Sequence, residues 1–398
     1  MKSYRKYWLL IYTIINLNFF SYSKFSDSSQ FSIFVEIVNF IPVVFYFVHL
    51  MLNEAKRKGY FSLPVSIFVA SIISGAISAY IYYDQSLIQS MIASHIFYPF
   101  FTYLLLVQLE FKKGDLLLII KMVFWATLVV FIIDFFTFPD TLFAWRNESR
   151  EEREALGLFF YGQGFTILGA LIYLENYLRT NKFRYLIPFI AAFVFIVFLT
   201  GSRTYFFALS ISSLFIVVFS IKEISSFNRK IYTILSLCLL GFIGIYYLQD
   251  RFLNLFSLTQ DQFSNYSGDI RLNCIIYYAT EFQNSILTQL FGNGFPNPHS
   301  ALGAKELFAT YNGYFVSDIG IIGLWSYFGV LSVLAWGLIF IRVFNKKYIR
   351  QNIAIIAFFI YIFINSFLTY TLFDPGYIIA YIYALYLFAP EIYNKEGN

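Results

Sequence analysis

Apolar residues run through this chain in long, nearly unbroken stretches separated by short polar or basic segments. They neither alternate with period two nor mark a single stripe of a helix. A helix rising about 1.5 Å per residue needs about 20 mostly apolar residues to cross a hydrocarbon layer about 30 Å thick. Twelve stretches of this kind, near 7–22, 31–52, 61–83, 87–108, 116–138, 157–178, 184–200, 204–220, 231–248, 317–341, 352–373 and 375–390, predict twelve transmembrane helices. The first follows Lys2, Arg5 and Lys6 in the manner of a signal peptide. The sequence Asn-Leu-Asn-Phe-Phe at 16–20 offers no small-residue cleavage site, so it reads as a span. The expected fold class is all-α, a polytopic integral membrane protein forming one transmembrane domain over 1–398.

Composition sharpens this picture. Of 398 residues, 59% are apolar and 13% charged, against about a quarter charged in an ordinary soluble chain. That is too little charge to cover a water-facing surface, and it excludes a soluble globule, a disordered chain and a nucleic-acid binder. Two cysteines exclude a disulfide framework or a zinc module.

The net charge of +5 is mostly a topology signal. With the N-terminus inside, 19 of the 28 lysines and arginines fall in inner segments, and both termini lie on the cytoplasmic side of a bacterial inner membrane. Two outer loops are long. The segment 139–156 is dense in charge, and 249–316 is long enough for a small subdomain. Within the second, Leu272, Ile275, Ile276, Ala279, Phe282, Ile286, Leu287 and Leu290 recur at helical spacing. They predict an amphipathic helix near 271–291, stopped by Gly292-Asn293-Gly294 and resting on the outer membrane surface or the bundle.

Ionisable groups inside spans are costly and mark function or structure. Glu36, Asp134 and His95 fall in outer halves of their spans, and Lys121, His49 and Glu175 near inner ends. None falls at the midplane, where ion-coupled carriers place their sites. Arginine is more informative, because outer loops should be poor in it. Arg203 follows Thr200-Gly201-Ser202 between two short apolar runs; Arg146, Arg150 and Arg153 come from one loop, Arg251 and Arg271 from the other. Guanidinium grips a phosphate or diphosphate bidentately in a partly dry place. The structural alternatives are pairing of Arg146, Arg150 and Arg153 with Glu148, Glu151, Glu152 and Glu154, snorkelling of Arg203, and pairing of Arg271 with Asp269.

Three local patterns carry a resemblance: Thr200-Gly201-Ser202-Arg203; Arg271 followed by Leu290-Phe291-Gly292-Asn293-Gly294-Phe295; and Ser317-Asp318-Ile319-Gly320-Ile321-Ile322-Gly323-Leu324. Arg146 is also followed after ten residues by Gly157. In this order, on one face of a polytopic chain, they resemble the O-antigen polymerase and O-antigen ligase superfamily (Wzy-type polymerases), over roughly 140–330 by pattern and the whole chain by topology. The resemblance implies a GT-C-like, metal-independent and cofactor-free glycosyltransferase acting at the outer face. Its substrate would be an oligosaccharide linked to undecaprenyl diphosphate, with membrane lipid around it and a flippase and a chain-length regulator as possible partners.

By similarity, Arg203 and Arg271, with Arg146 and Arg153, are the diphosphate ligands. The base is His299 or Asp318, whose structural role would be to cap span ten together with Ser317. Tyr311, Asn312 and Tyr314 would meet the sugar, and Tyr266, Trp145, Tyr277 and Tyr278 are further stacking candidates. The ligases carry a His-Asn pair shortly before span ten, where this chain has Tyr311-Asn312. That departure favours a polymerase of lipid-linked surface-polysaccharide repeats (O-antigen or capsule) over a ligase acting on lipid A-core or protein. A flippase without chemistry is the rival of another class; it should line a central cavity with charge reaching the cytoplasmic side, whereas here the charge stops at the outer third.

Overall fold

The computed structural model describes residues 4–22, 29–52, 58–144, 146–147, 158–196, 200, 202–223, 270–367 and 369–388. The expected span at 231–248, the loop positions Trp145, Arg150, Arg153, Gly157, Arg251 and Tyr266, and Cys238 lie outside the described residues. The described part is almost entirely helical. Its helices are α1 (Tyr4–Asn16), α2 (Ser29–Leu52), α3 (Ser62–Tyr83), α4 (Leu87–Ala93), α5 (Phe100–Gln108), α6 (Lys113–Thr137), α7 (Gln163–Thr180), α8 (Leu186–Phe195) and α9 (Arg203–Glu223). After residue 269 come α10 (Ile270–Ala279), α11 (Ile286–Phe291), α12 (Ala301–Tyr311), α13 (Ile321–Val343), α14 (Ile353–Asn365) and α15 (Pro375–Phe388). A two-residue pairing of β1 (Arg146–Asn147) with β2 (Leu158–Phe159) is the only sheet among the described residues.

Among the described residues, four helices are long and apolar enough to cross a membrane: Ile33–Leu52 of α2, α3, α6 and α13. A fifth crossing results if Leu87–Phe97 and Phe100–Gln108, bent by 70° at their junction, form one span. The sequence pattern reads that stretch as a straight span. Instead Pro99, with no amide hydrogen to give, sits between a 3-10 turn at Ser94–Phe97 and α5. Parts of α8 and α9, with α14 and α15, are shorter apolar helices.

α7 is the central post, buried along most of its length against α6, α8, α9, α14 and α15. Glycine makes the approach possible. A side chain at Gly164 would meet the backbone of Gly376 and Tyr377, and one at Gly169 would meet the Phe124 ring. α15 is buried through Gly376–Phe388, and three of its four tyrosine hydroxyls find partners there. Tyr383 and Thr13 share a hydrogen bond of 2.6 Å, and the Tyr386 hydroxyl donates to the Phe111 carbonyl at 2.6 Å.

Two of the carboxylates picked out within spans are explained by backbone satisfaction. Asp134, fully buried, accepts from the amides of Leu142, Phe143 and Ala144 and so ties the following loop to the end of α6. Glu175 accepts from the Ala354 amide at the start of α14 and pairs with Arg179 at 2.6 Å.

The predicted helix over 271–291 is instead two helices. Phe282 N–H turns back to the Tyr277 carbonyl, and Ser285 then caps α11 in a reciprocal pair with Thr288. After α11 the chain runs extended through 292–297 and inserts between α3 and α13. It fits because α13 is unwound at Gly329 (φ 70°, ψ −171°). The carbonyls of Ser326 and Tyr327, in the turn before the break, accept from the amides of Asn293 (3.0 Å) and Gly294 (2.8 Å). A side chain at Gly329 would collide with the Leu290 carbonyl, and one at Gly75 would meet the Tyr327 carbonyl.

Gly329→Ala therefore meets both a positive φ and a backbone collision. The expected cost is about 1–3 kcal/mol, read as a lowered thermal midpoint of the purified protein. Gly337→Ala, at a position where a side chain meets nothing, is the control and should leave the midpoint unchanged or raised.

Candidate functional site

At one end of the bundle, the start of α9 and the segment leading into α13 meet a common hub within 365–377. On one side, α9 opens at Arg203. The Thr200 hydroxyl donates to the Ile196 carbonyl, the Ser202 amide donates to the Thr200 hydroxyl, and the Phe206 amide closes the first turn on Ser202. The Arg203 side chain lies outside the described residues. Tyr205, two residues along and so on the other side of the helix, is buried with its ring 6.3 Å from Tyr361 and 6.2 Å from Tyr377, whose hydroxyls share a 3.0 Å hydrogen bond.

On the other side, the Ile321 amide donates to the Ser366 carbonyl at 2.6 Å, and Gly320 takes φ +47° because its α-carbon lies against that carbonyl. The helix-capping position therefore falls on Gly320. Asp318 sits apart, in a 3-10 turn over Val316–Ile319 that packs on the turn at Tyr370–Leu372. α10 docks on the same turn. The Cys274 thiol is 3.5 Å from the Phe315 carbonyl, and burial pushes that thiol up to about 12. Ile270, at the start of α10, packs on Gly313, and Arg271 follows it with its side chain exposed. Tyr314 is half-buried against Tyr277 at 5.5 Å, Tyr311 is 81% exposed, and the Asn312 amide donates to the Phe308 carbonyl.

His299 does not join this group. It is exposed in the turn before α12, its amide donating to Asn297 Oδ1 at 3.0 Å. Tyr311, Tyr314 and Asp318 lie at or beyond the far end of α12. An eleven-residue helix spans about 16 Å. Arg146 contributes its backbone to β1, paired with Phe159; its side chain, like Arg153, lies outside the described residues.

Two carboxyl groups not singled out by pattern stand out here. Asp374 caps α15, accepting from the amides of Gly376 (2.7 Å) and Tyr377 (3.1 Å). Burial pushes its carboxyl up to about 7 against the pull of those amides. The sequence signal was Asp-Pro at the start of the last span, an N-cap followed by proline at the first helical position. Gln163, at the start of α7, is buried with its Nε2 unpartnered.

Glu306 on α12 accepts from the Tyr278 hydroxyl at 2.8 Å through Oε1, while its Oε2 is buried without a hydrogen-bond partner. Burial raises its pKa against the pull of the tyrosine hydroxyls. Nothing in the Lys305-Glu306 pair separates it from a solvated charge. Deep in the bundle, a cavity of ≈ 20 Å³ lies among Phe68, Phe100, Trp336 and Tyr381. The Trp336 indole N–H and Tyr381 hydroxyl have no protein partner there, and its size suits water rather than substrate. Among the described residues, no three of His, Cys, Asp and Glu lie close enough to hold a metal ion.

No family model matches the chain, and no curated protein matches it.

The raised pKa of Glu306 fixes the sign of a pH effect. A carboxyl that binds its proton more tightly folded than unfolded stabilises fully below the ordinary value of about 4.3, and that stabilisation is lost as pH rises through the folded value. As pH rises above about 4 the contribution of Glu306 to the thermal midpoint should fall, so the midpoint of the wild type should drop relative to that of Glu306→Gln. Equal slopes would place the ionised carboxylate in the folded protein.

Proposed function

We propose that this chain is a membrane glycosyltransferase that polymerises undecaprenyl-diphosphate-linked oligosaccharide repeats of a surface polysaccharide. Twelve spans, a GT-C-like arrangement, termini in the cytoplasm and a site at the outer face of a bacterial inner membrane belong to the same reading. The observation that carries it is the junction of two sequence-distant segments on one hub. α9 opens at Arg203 with Tyr205 packed on Tyr361 and Tyr377, and α10, whose second residue is Arg271, packs on the Asp318 turn that meets 370–372.

In this reading the acceptor hydroxyl attacks the anomeric carbon as the bond to the lipid diphosphate breaks. The guanidinium groups of Arg203 and Arg271 stabilise the charge that develops on the departing diphosphate. Asp318, in the turn on which α10 packs, takes the acceptor proton, a role typically worth about 10²–10⁴-fold. Tyr314 and exposed Tyr311 present rings to the sugar, and Asn312 lies between them in sequence. His299, a helix length away from this group, is left without a chemical role.

Purified protein incubated with synthetic undecaprenyl-diphosphate oligosaccharide should yield a ladder of products, in the presence of EDTA as well. Arg203→Ala or Arg271→Ala should abolish the ladder. Lysine at either position should restore it only in part, since an ammonium cannot grip two phosphate oxygens in a planar fork. Asp318→Asn should slow it about 10²–10⁴-fold while His299→Ala leaves it near wild type. Full activity in both arginine variants rules the diphosphate clamp out.

A further inference from the structure

The insertion after α11 reaches far below the end of the bundle that carries the site. The Phe291 carbonyl accepts from Ser74, nine residues before the end of α3 at Tyr83, or about 14 Å along that helix. Gly329, against which Leu290–Gly292 pack, is eight residues into α13, about 12 Å from its start. The chain returns toward the same end. Gly294 lies against Gly75 and Ala79, and the Asn297 amide donates to Gln85, just past the end of α3. Both flanking helices are among those long and apolar enough to cross a membrane. A hydrocarbon layer is about 30 Å thick, so the tip at 290–292 approaches its middle.

Two further observations fit that depth. Non-helical backbone is tolerated in a bilayer only where its polar groups are satisfied by protein. Here the Gly292 amide donates to Thr288, those of Asn293 and Gly294 to α13, and the Phe291 and Phe295 carbonyls accept from Ser74 and Gln85. α11 is also patterned inside out. Its polar Thr288 is fully buried, while Ile286, Leu287, Leu290 and Phe291 are 44–72% exposed. That apolar face sits beside α3, whose own Ile73 and Ile77 are exposed at the same level.

We propose that residues 285–297 form a re-entrant hairpin, a helical limb descending and an extended limb returning, and that acyl chains of the bilayer cover Ile286, Leu287 and Leu290. The inference rests on the transmembrane character of α3 and α13 and is independent of any catalytic reading.

The test is site-directed spin labelling of the full chain in phospholipid vesicles, with Cys238 and Cys274 replaced by alanine and single cysteines at Leu287, Leu290, Ile77 and Ala304. Labels at 287 and 290 should match 77 in high oxygen and low nickel-chelate accessibility, while 304, exposed on α12, should be open to nickel. Nickel accessibility at 287 and 290 equal to that at 304 overturns the proposal. So does low accessibility to both reagents, which would mean a protein cover such as a second copy. Benzoylphenylalanine at Leu287 in the protein with native cysteines gives an independent reading. A phospholipid adduct like that formed from position 77 is expected, and a dimeric adduct, or none, counts against it.

Discussion

A bilayer gives a backbone amide or carbonyl nothing to bond with, and the arrangement around Gly329 answers that constraint. Unwinding α13 would ordinarily strand carbonyls in an apolar place, at a cost of several kcal/mol each. Inserting an extended loop would strand amides. Set side by side, the two defects cancel, because the carbonyls of Ser326 and Tyr327 meet the amides of Asn293 and Gly294. Neither feature is stable without the other. The fit needs Gly75, Gly294 and Gly329 at the contact, since a side chain at any of them would strike backbone.

The side chain of Asn293 extends the same logic toward the outer subdomain. Its amide donates to Gln283 and to the Ser326 carbonyl, and its oxygen accepts from Tyr83. Gln283 in turn reaches Ser326, whose hydroxyl donates to the Tyr278 carbonyl. Tyr278 bonds Glu306 on α12. One chain of hydrogen bonds therefore links α3, α13, the inserted strand and the outer helices α10 and α12. A connected network of this kind favours one geometry and penalises partial opening. The position of α10, and of Arg271 upon it, is accordingly set from within the bundle.

Much of the helical content was legible, because hydrophobic run length maps directly onto helices and because Asp134 and Glu175 had to find partners near span ends. The breaks were not. A continuous helical pattern from Leu272 to Leu290 gives no sign of the turn at 280–285, which depends on Phe282 folding back and on the Ser285 cap. Gly329 looks like any glycine in an apolar helix until its partner strand is known. Asp374 was legible in principle from Asp-Pro. Glu306 was not, since its burial comes from Tyr278 and Tyr327, each about twenty to thirty positions distant in the chain. His299 illustrates the converse, a chemically suitable residue placed in the turn before α12, at the opposite end of that helix from Tyr311.

The hub at 365–377 explains how a site made of remote segments can be precise. Ser366 holds the start of α13, Asp374 holds the start of α15, and Tyr377 joins α15 to α14 and α9 through Tyr361 and Tyr205. Three helix starts (α7, α9 and α15) adjoin here, since Gly376 also lies against the Tyr161 carbonyl just before α7. Their unpaired amide ends lend this region positive potential, which raises the attraction for an anion and would hold an ionised Asp374 in place. Burial pulls that carboxyl the other way, toward its protonated form. A bound diphosphate would add negative charge nearby and drive the Asp374 carboxyl further toward protonation. In the proposed reading Asp374 would carry less negative charge with a diphosphate bound than without it, which favours anion binding.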